Sequence, residues 1–183
     1  EPAAQLTELQ ELISENGKRP VVDERYLLNG KSTWSVPTRN GPPQDTFLGA
    51  FAYGLLNQGL APAGANDWKC QPKDGQNPVV LVHGTGENAY NNWSMISPEL
   101  KRAGYCVFAL NYGTSTVLDG AGVGKILPGT HGTGDIVQSG KQIGEFVEKV
   151  RKATGAEKVV MVGHSQGGAS ARQYLRYAGG KDE

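Results

Sequence analysis

Residues 163–167 read Gly-His-Ser-Gln-Gly, a serine between two glycines in the pattern G-x-S-x-G. A serine hydroxyl presented in this way can attack a carbonyl carbon and carry the acyl group as a covalent intermediate. Nine serines in a chain with 26 glycines among 183 residues give about 0.2 chance matches, so the pattern counts only in context. That context is a strand and a helix. Residues 159–162 (VVMV) run directly into the motif, and residues 168–177 (GASARQYLRY) continue it with helical character. A serine at such a corner is forced into a strained turn with Oγ pointing out of the sheet, and flanking glycines avoid collisions with the neighbouring strand and helix. Ser165 is therefore the candidate nucleophile.

Attack on a carbonyl creates an oxyanion that preorganised donors must meet. One comes with the corner, the backbone N–H of Gln166, where the start of the following helix also favours negative charge. The second should lie in the loop after a neighbouring strand. His83-Gly84-Thr85-Gly86 follows the apolar run 79–82 (VVLV) and makes Thr85, through its N–H and with its hydroxyl in reserve, the second candidate. His83 at the strand end reads as a brace for this loop. His164 points away from the serine by strand alternation and reads as structural.

Positioning these groups requires a sheet. Residues 79–82, 106–110 (CVFAL) and 159–162 are continuous apolar, β-branched-rich runs of the kind buried on both faces. Between the first two, Ser97 as cap, Pro98 at the first position and Gly104 as stop predict a short helix. Between the second and third, the spacing predicts a longer helix over about 135–154. Ile136, Ile143, Val147 and Val150 share one face with Gly140 and Gly144, which would let the helix sit close to the sheet. Strand, helix, strand, helix, strand implies an α/β class with a parallel sheet and helices on both faces. Upstream, residues 5–16 place Leu6, Leu9, Leu12 and Ile13 on one helical face. Residues 25–36 could form a hairpin around Asn29-Gly30. Residues 37–43 read as a linker, 47–60 as a short packed helix and 61–78 largely as loop.

Composition excludes several classes. With 18 Lys+Arg against 18 Asp+Glu, the chain lacks the cationic excess of a nucleic-acid binder. No apolar run approaches the roughly 18 residues that cross a membrane as a helix. At 38% hydrophobic and 20% charged it is not a disordered chain. Cys70 and Cys106 are too far apart for C-x-x-C chemistry, leaving a bridge or two buried thiols. Asn92-Trp93-Ser94 is a glycosylation sequon, although Asn92 reads better as a helix cap. A start at Glu1 with no leader is what a secreted protein looks like after processing, and equally what an artificially trimmed chain looks like.

Taken together, GANDWKCQP (64–72), PVVLVHGTGENAYNNW (78–93), LKRAGYCVFALNYG (100–113) and VVMVGHSQGG (159–168) resemble the secreted triacylglycerol lipases of actinobacteria, the class 2 lipase group of the α/β-hydrolase superfamily. The resemblance runs from about residue 43 to the last. It implies an α/β-hydrolase domain over 43–183, with 1–42 as an N-terminal extension of a helix and possible hairpin. It further implies Ser165 as nucleophile, Thr85 and Gln166 in the oxyanion hole, and a disulfide between Cys70 and Cys106. Segment 114–135 corresponds to the loop over the acyl site. The substrate would be a lipid or related ester, with no metal or organic cofactor required.

The departure is at the far end. In this superfamily a triad acid and then a histidine follow the serine. Here 18 residues follow Ser165, with Asp182 and Glu183 but no histidine, while His83, His131 and His164 all lie upstream. The expectation is the N-terminal portion of a lipase, truncated after the nucleophile helix. A C-terminal fragment or second chain would carry the acid and histidine, and residues 159–162 would be left as an apolar sheet edge. Two rivals share the scaffold: a catalytically inactive binding module, and an acyltransferase passing the same acyl group to an alcohol.

Overall fold

A computed structural model of the protein describes residues 33–57, 59–114 and 130–180. The expected helix over 5–16, the first half of the hairpin and most of the 114–135 loop lie outside them.

The apolar run Val79–Val82 forms β4, fully buried at the centre of a parallel sheet. It is flanked by β5 (Val107–Ala109) and β7 (Val160–Gly163), in register Val79↔Val107 and Val79↔Val160. Alternation along the strands makes two cores. Val80, Val82, Phe108 and Leu110 meet Ile143, Phe146, Val147 and Val150 of α4 (Ile136–Thr154) and Tyr174 of α5 (Gln166–Tyr177). On the other face Val79, Leu81, Val107 and Ala109 meet Ala89 and Trp93 of α2 (Ala89–Trp93) and Leu100 of α3 (Ile96–Arg102). The α/β class holds, with helices on both faces of the parallel sheet.

The third strand is the apolar edge that was expected and is not buried on both faces: Val160 is 45% exposed, because among the described residues no strand pairs with the outer side of β7. The outer side of β5, in contrast, is covered. Asn66, at φ 61°, donates its side-chain amide to Ala109 O (2.9 Å) and Pro37 O (2.8 Å), accepts from Ala109 N (2.8 Å), and gives its own N–H to Val107 O (2.9 Å). One Asn thereby substitutes for part of a missing strand, a conformation its short polar side chain tolerates. Nearby, Cys70 and Cys106 form a disulfide across a Cα–Cα distance of 5.7 Å, as the resemblance implied.

Asp135 caps α4 by accepting from the N–H groups of Val137 and Gln138, and Gly155 ends it at φ 70°. Gly140 and Gly144 lie against Gln173 and Tyr174 of α5 instead of the sheet, so their small size serves helix–helix approach. Ile136 is exposed, one turn short of the core. Ser97 is also reassigned. The residue before α3 is Met95, without a side-chain cap, and buried Ser97 donates to Ala63 O (2.9 Å).

Residues 33–43 are tied down and do not read as a free linker. β1 (Thr33–Ser35) pairs antiparallel with β6 (Asn111–Thr114), and β2 (Arg39–Asn40) pairs parallel with β3 (Leu60–Ala61). Trp34 donates to Glu145 Oε2 (2.8 Å) and packs edge-on to Phe146. Between β2 and β3, α1 (Phe47–Leu56, FLGAFAYGLL) carries no charged residue and buries only Ala50 and Gly54. Among the described residues no helix is long and apolar enough to cross a membrane.

Candidate active site

The corner at the end of β7 has the geometry that its sequence implies. Ser165 sits between strand and helix at φ 53°, ψ −124°, a region that a β-carbon makes costly, by about 1–3 kcal/mol. The serine is exposed. The glycines around it answer specific neighbours. A β-carbon on Gly167 would lie 2.3 Å from Val82 O and 2.5 Å from His83 O, and one on Gly163 would lie 2.7 Å from Gly168 N. The backbone closes the turn and ties it to the central strand, with Gly167 N donating to His164 O (2.8 Å), Gly168 N to Ser165 O (3.0 Å) and His164 N to Val82 O (3.0 Å). As the first residue of α5, Gln166 presents an N–H with no intrahelical acceptor.

Facing this corner is the loop after β4. His83 is completely buried and stacks on Tyr112, with ring centroids 4.5 Å apart. Its Nδ1 lies 2.8 Å from Gly84 O, which can only accept, so Nδ1 carries the proton and Nε2 is left to accept from Tyr112 N (3.4 Å). Tyr112 Oη donates in turn to His83 O (2.7 Å). Burial holds the His83 imidazole down to about 3, opposed by its bond to Gly84 and aided by nearby His131. A ring kept neutral by its burial that fixes the Gly84 carbonyl also fixes the direction of the next N–H, because the trans peptide points that group the opposite way. His83 therefore braces the loop, as expected, and that next N–H belongs to Thr85.

Thr85 is exposed, and its hydroxyl donates to the Gln166 side-chain Oε1. The two expected oxyanion residues are thus in direct side-chain contact across the two loops. That bond occupies the hydroxyl proton held in reserve, so the expected donor role would fall to the Thr85 N–H. His131 supports the same loop through its backbone, accepting from Gly86 N (2.8 Å) and donating to Glu87 O (2.8 Å). Burial lowers its imidazole to about 4.

Of two further residues at this site, one was not singled out from the sequence and the other was read in a different role. Glu87, buried to 8% exposure, accepts from Gly84 N through Oε2 (2.9 Å) and lies 3.0 Å from His164 Nδ1 through the same oxygen. Asn92 accepts from Gly84 N (3.2 Å) and places its Nδ2 3.2 Å from His164 Nδ1. The helix cap expected of Asn92 belongs to Asn88, which forms a capping box with Asn91. An acid four residues beyond the buried His83, in an otherwise uncharged stretch 83–94, was the available signal for Glu87.

Beside the corner opens a concavity of about 480 Å³ lined by Phe47, Asn92, Trp93, Met95, Ile96, Gly163 and His164. Four of these seven are large and apolar.

Comparison with known proteins agrees with this architecture. The chain is 33% identical over 100 residues to a triacylglycerol lipase of Pseudarthrobacter phenanthrenivorans, covering 52% of this chain and 27% of that one. It is also 33% identical over 100 residues to a triacylglycerol lipase of Burkholderia plantarii, covering 52% and 24%. The chain therefore spans about a quarter of the length of these curated relatives. The family profile described as Lipase (class 2) matches residues 76–183, more than half of the chain and the whole stretch from β4 through α5. On that match, with strand, braced loop and serine corner in their places, the chain belongs to the class 2 lipase family.

Proposed function

We propose that this chain is the nucleophile-bearing part of a secreted serine hydrolase with an α/β-hydrolase fold, acting on acylglycerols or related lipophilic carboxylic esters. Ser165 Oγ attacks the ester carbonyl, the alcohol leaves, and water then releases the acid from the acyl-enzyme. The N–H groups of Thr85 and Gln166 stabilise the negative oxygen of each tetrahedral intermediate. The observation that carries this reading is the backbone of Ser165, a strained conformation on a non-glycine residue at the junction of a parallel strand and a helix.

Supporting the lipophilic substrate are the apolar walls of the adjoining concavity and the uncharged α1 helix whose Phe47 forms one of them. The disulfide fits an oxidising compartment and so a secreted protein. The triad acid and histidine are assigned to a further segment or a second chain. His83 is buried with both ring nitrogens engaged, His131 is desolvated, and the Nδ1 of His164 is held by Glu87.

The test is intact-mass analysis of the complete protein after treatment with an activated alkyl phosphonate. One adduct, mapped to Ser165 and abolished by Ser165→Ala, is expected; an unmodified protein removes the nucleophile assignment.

A further inference from the structure

The loop carrying Thr85 and the turn carrying Ser165 follow different strands, and their relative placement has to be held to a fraction of an ångström if two amides are to meet one oxyanion. They approach closely: a β-carbon on Gly84 would lie 3.2 Å from Ser165 Cβ and 2.6 Å from Glu87 Oε2. At this junction the Glu87 side chain is only 11% exposed, and a carboxylate so placed is costly unless donors surround it. Its Oε2 accepts from the Gly84 N–H of the loop at 2.9 Å and lies 3.0 Å from His164 Nδ1 of the turn, a nitrogen that Asn92 Nδ2 also approaches at 3.2 Å; with the ring proton on Nδ1 the carboxylate has one donor from each side.

We propose that Glu87 and His164 act as a positioning pair that locks the oxyanion loop onto the nucleophile turn. Glu87 fixes the peptide entering Gly84, while His83 fixes the one leaving it, so the Thr85 N–H is oriented from both sides. The pair exchanges no proton with the substrate; although His164 also lines the adjoining concavity, it acts here through the loop it holds. Its contribution appears when negative charge develops on the substrate oxygen, and so falls on kcat and not on KM.

This inference rests on the serine-hydrolase reading, and the experiment separates the two. In the complete protein, ester turnover and phosphonate labelling of the wild type are measured first; a wild type without either defeats the hydrolase reading itself. With an active wild type, Glu87→Ala and His164→Ala are each expected to lower kcat about 10–100-fold with KM within about twofold, somewhat less than outright loss of an oxyanion donor. His164→Asn is the discriminating variant. The Asn Nδ2 can occupy the place of the imidazole Nδ1 and donate to Glu87, so kcat should recover to within about threefold of wild type. The double Ala variant should be no slower than the worse single, since both changes break one contact. Should kcat persist in Glu87→Ala, should His164→Asn be as slow as His164→Ala, or should the two Ala effects multiply, the positioning role is overturned. Thermal melting of each variant guards against misfolding, and a variant that has lost its folded transition counts against the pair as a catalytic device.

Discussion

At Ser165 the backbone conformation is held against its own preference, and the packing that holds it can be read in Gly163, Gly167 and the carbonyls of Val82 and His83. Replacing Ser165 by Gly removes the steric penalty, partly offset by the greater freedom of glycine in the unfolded chain. A net stabilisation of about 1 kcal/mol is expected, seen as a higher urea midpoint, together with complete loss of phosphonate labelling. Failure of the midpoint to rise would mean that the turn is not strained. His83 provides a second measurement at this scale. Its folded-state value is depressed to about 3 from an ordinary 6.5, so above pH 6.5 both states are neutral and the group has no effect. Below pH 6.5 the unfolded chain takes up a proton that the folded chain refuses, and stability falls as pH falls. The slope is about 1.4 kcal/mol per pH unit, or about 2 kcal/mol between pH 6.5 and 5. Urea titrations across this range should show a smaller loss for His83→Gln than for the wild type, whatever that variant costs at pH 7.

Elements of the half-molecule around β4 were legible because their side chains decide them locally. The continuous apolar runs 79–82 and 106–110 could only be buried strands, and the period of Ile143, Val147 and Val150 placed α4 within a residue of its observed start. Misreadings came where a polar side chain had a tertiary partner. Ser97 looked like a cap but bonds a carbonyl from residue 63, Asn92 looked like a cap but accepts from Gly84 N in the loop after β4, and residues 37–43 looked like a linker because their pairing partners lie some twenty residues on. The same limit explains the candidate site. Ser165, Thr85 and Gln166 announce themselves through local pattern, whereas Glu87 joins its own loop to a residue 77 positions away. The disulfide is a long-range tie of covalent kind. With its ends 36 positions apart, chain-entropy reasoning assigns it about 3–4 kcal/mol. Reduction, or Cys70→Ser with Cys106→Ser, should lower the unfolding free energy by about that amount in urea melts. An unchanged stability would mean that its ends are held together equally well in the unfolded chain.

On the scale of the molecule, the parallel sheet is, among the described residues, finished on one side and open on the other. Asn66 and the disulfide cover β5, while no described strand pairs with the outer side of β7, where Val160 is exposed. An apolar open edge recruits further strands. Prepared by itself, the 183-residue chain is expected to self-associate, and Val160→Lys should shift it toward monomer in size-exclusion chromatography with light scattering. A chain that is monomeric without the substitution would place the association-prone surface elsewhere. The closed side has a different consequence. The Cys70–Cys106 bond makes a covalent ring that encircles β4, His83, Thr85, Glu87, α2 and α3, while Ser165 stands outside it. A protease that nicks any single peptide bond within this ring severs the backbone without releasing a fragment. Such a molecule would migrate as one species until a thiol was added, and the loop of Thr85 and the turn of Ser165 would stay tethered while it did.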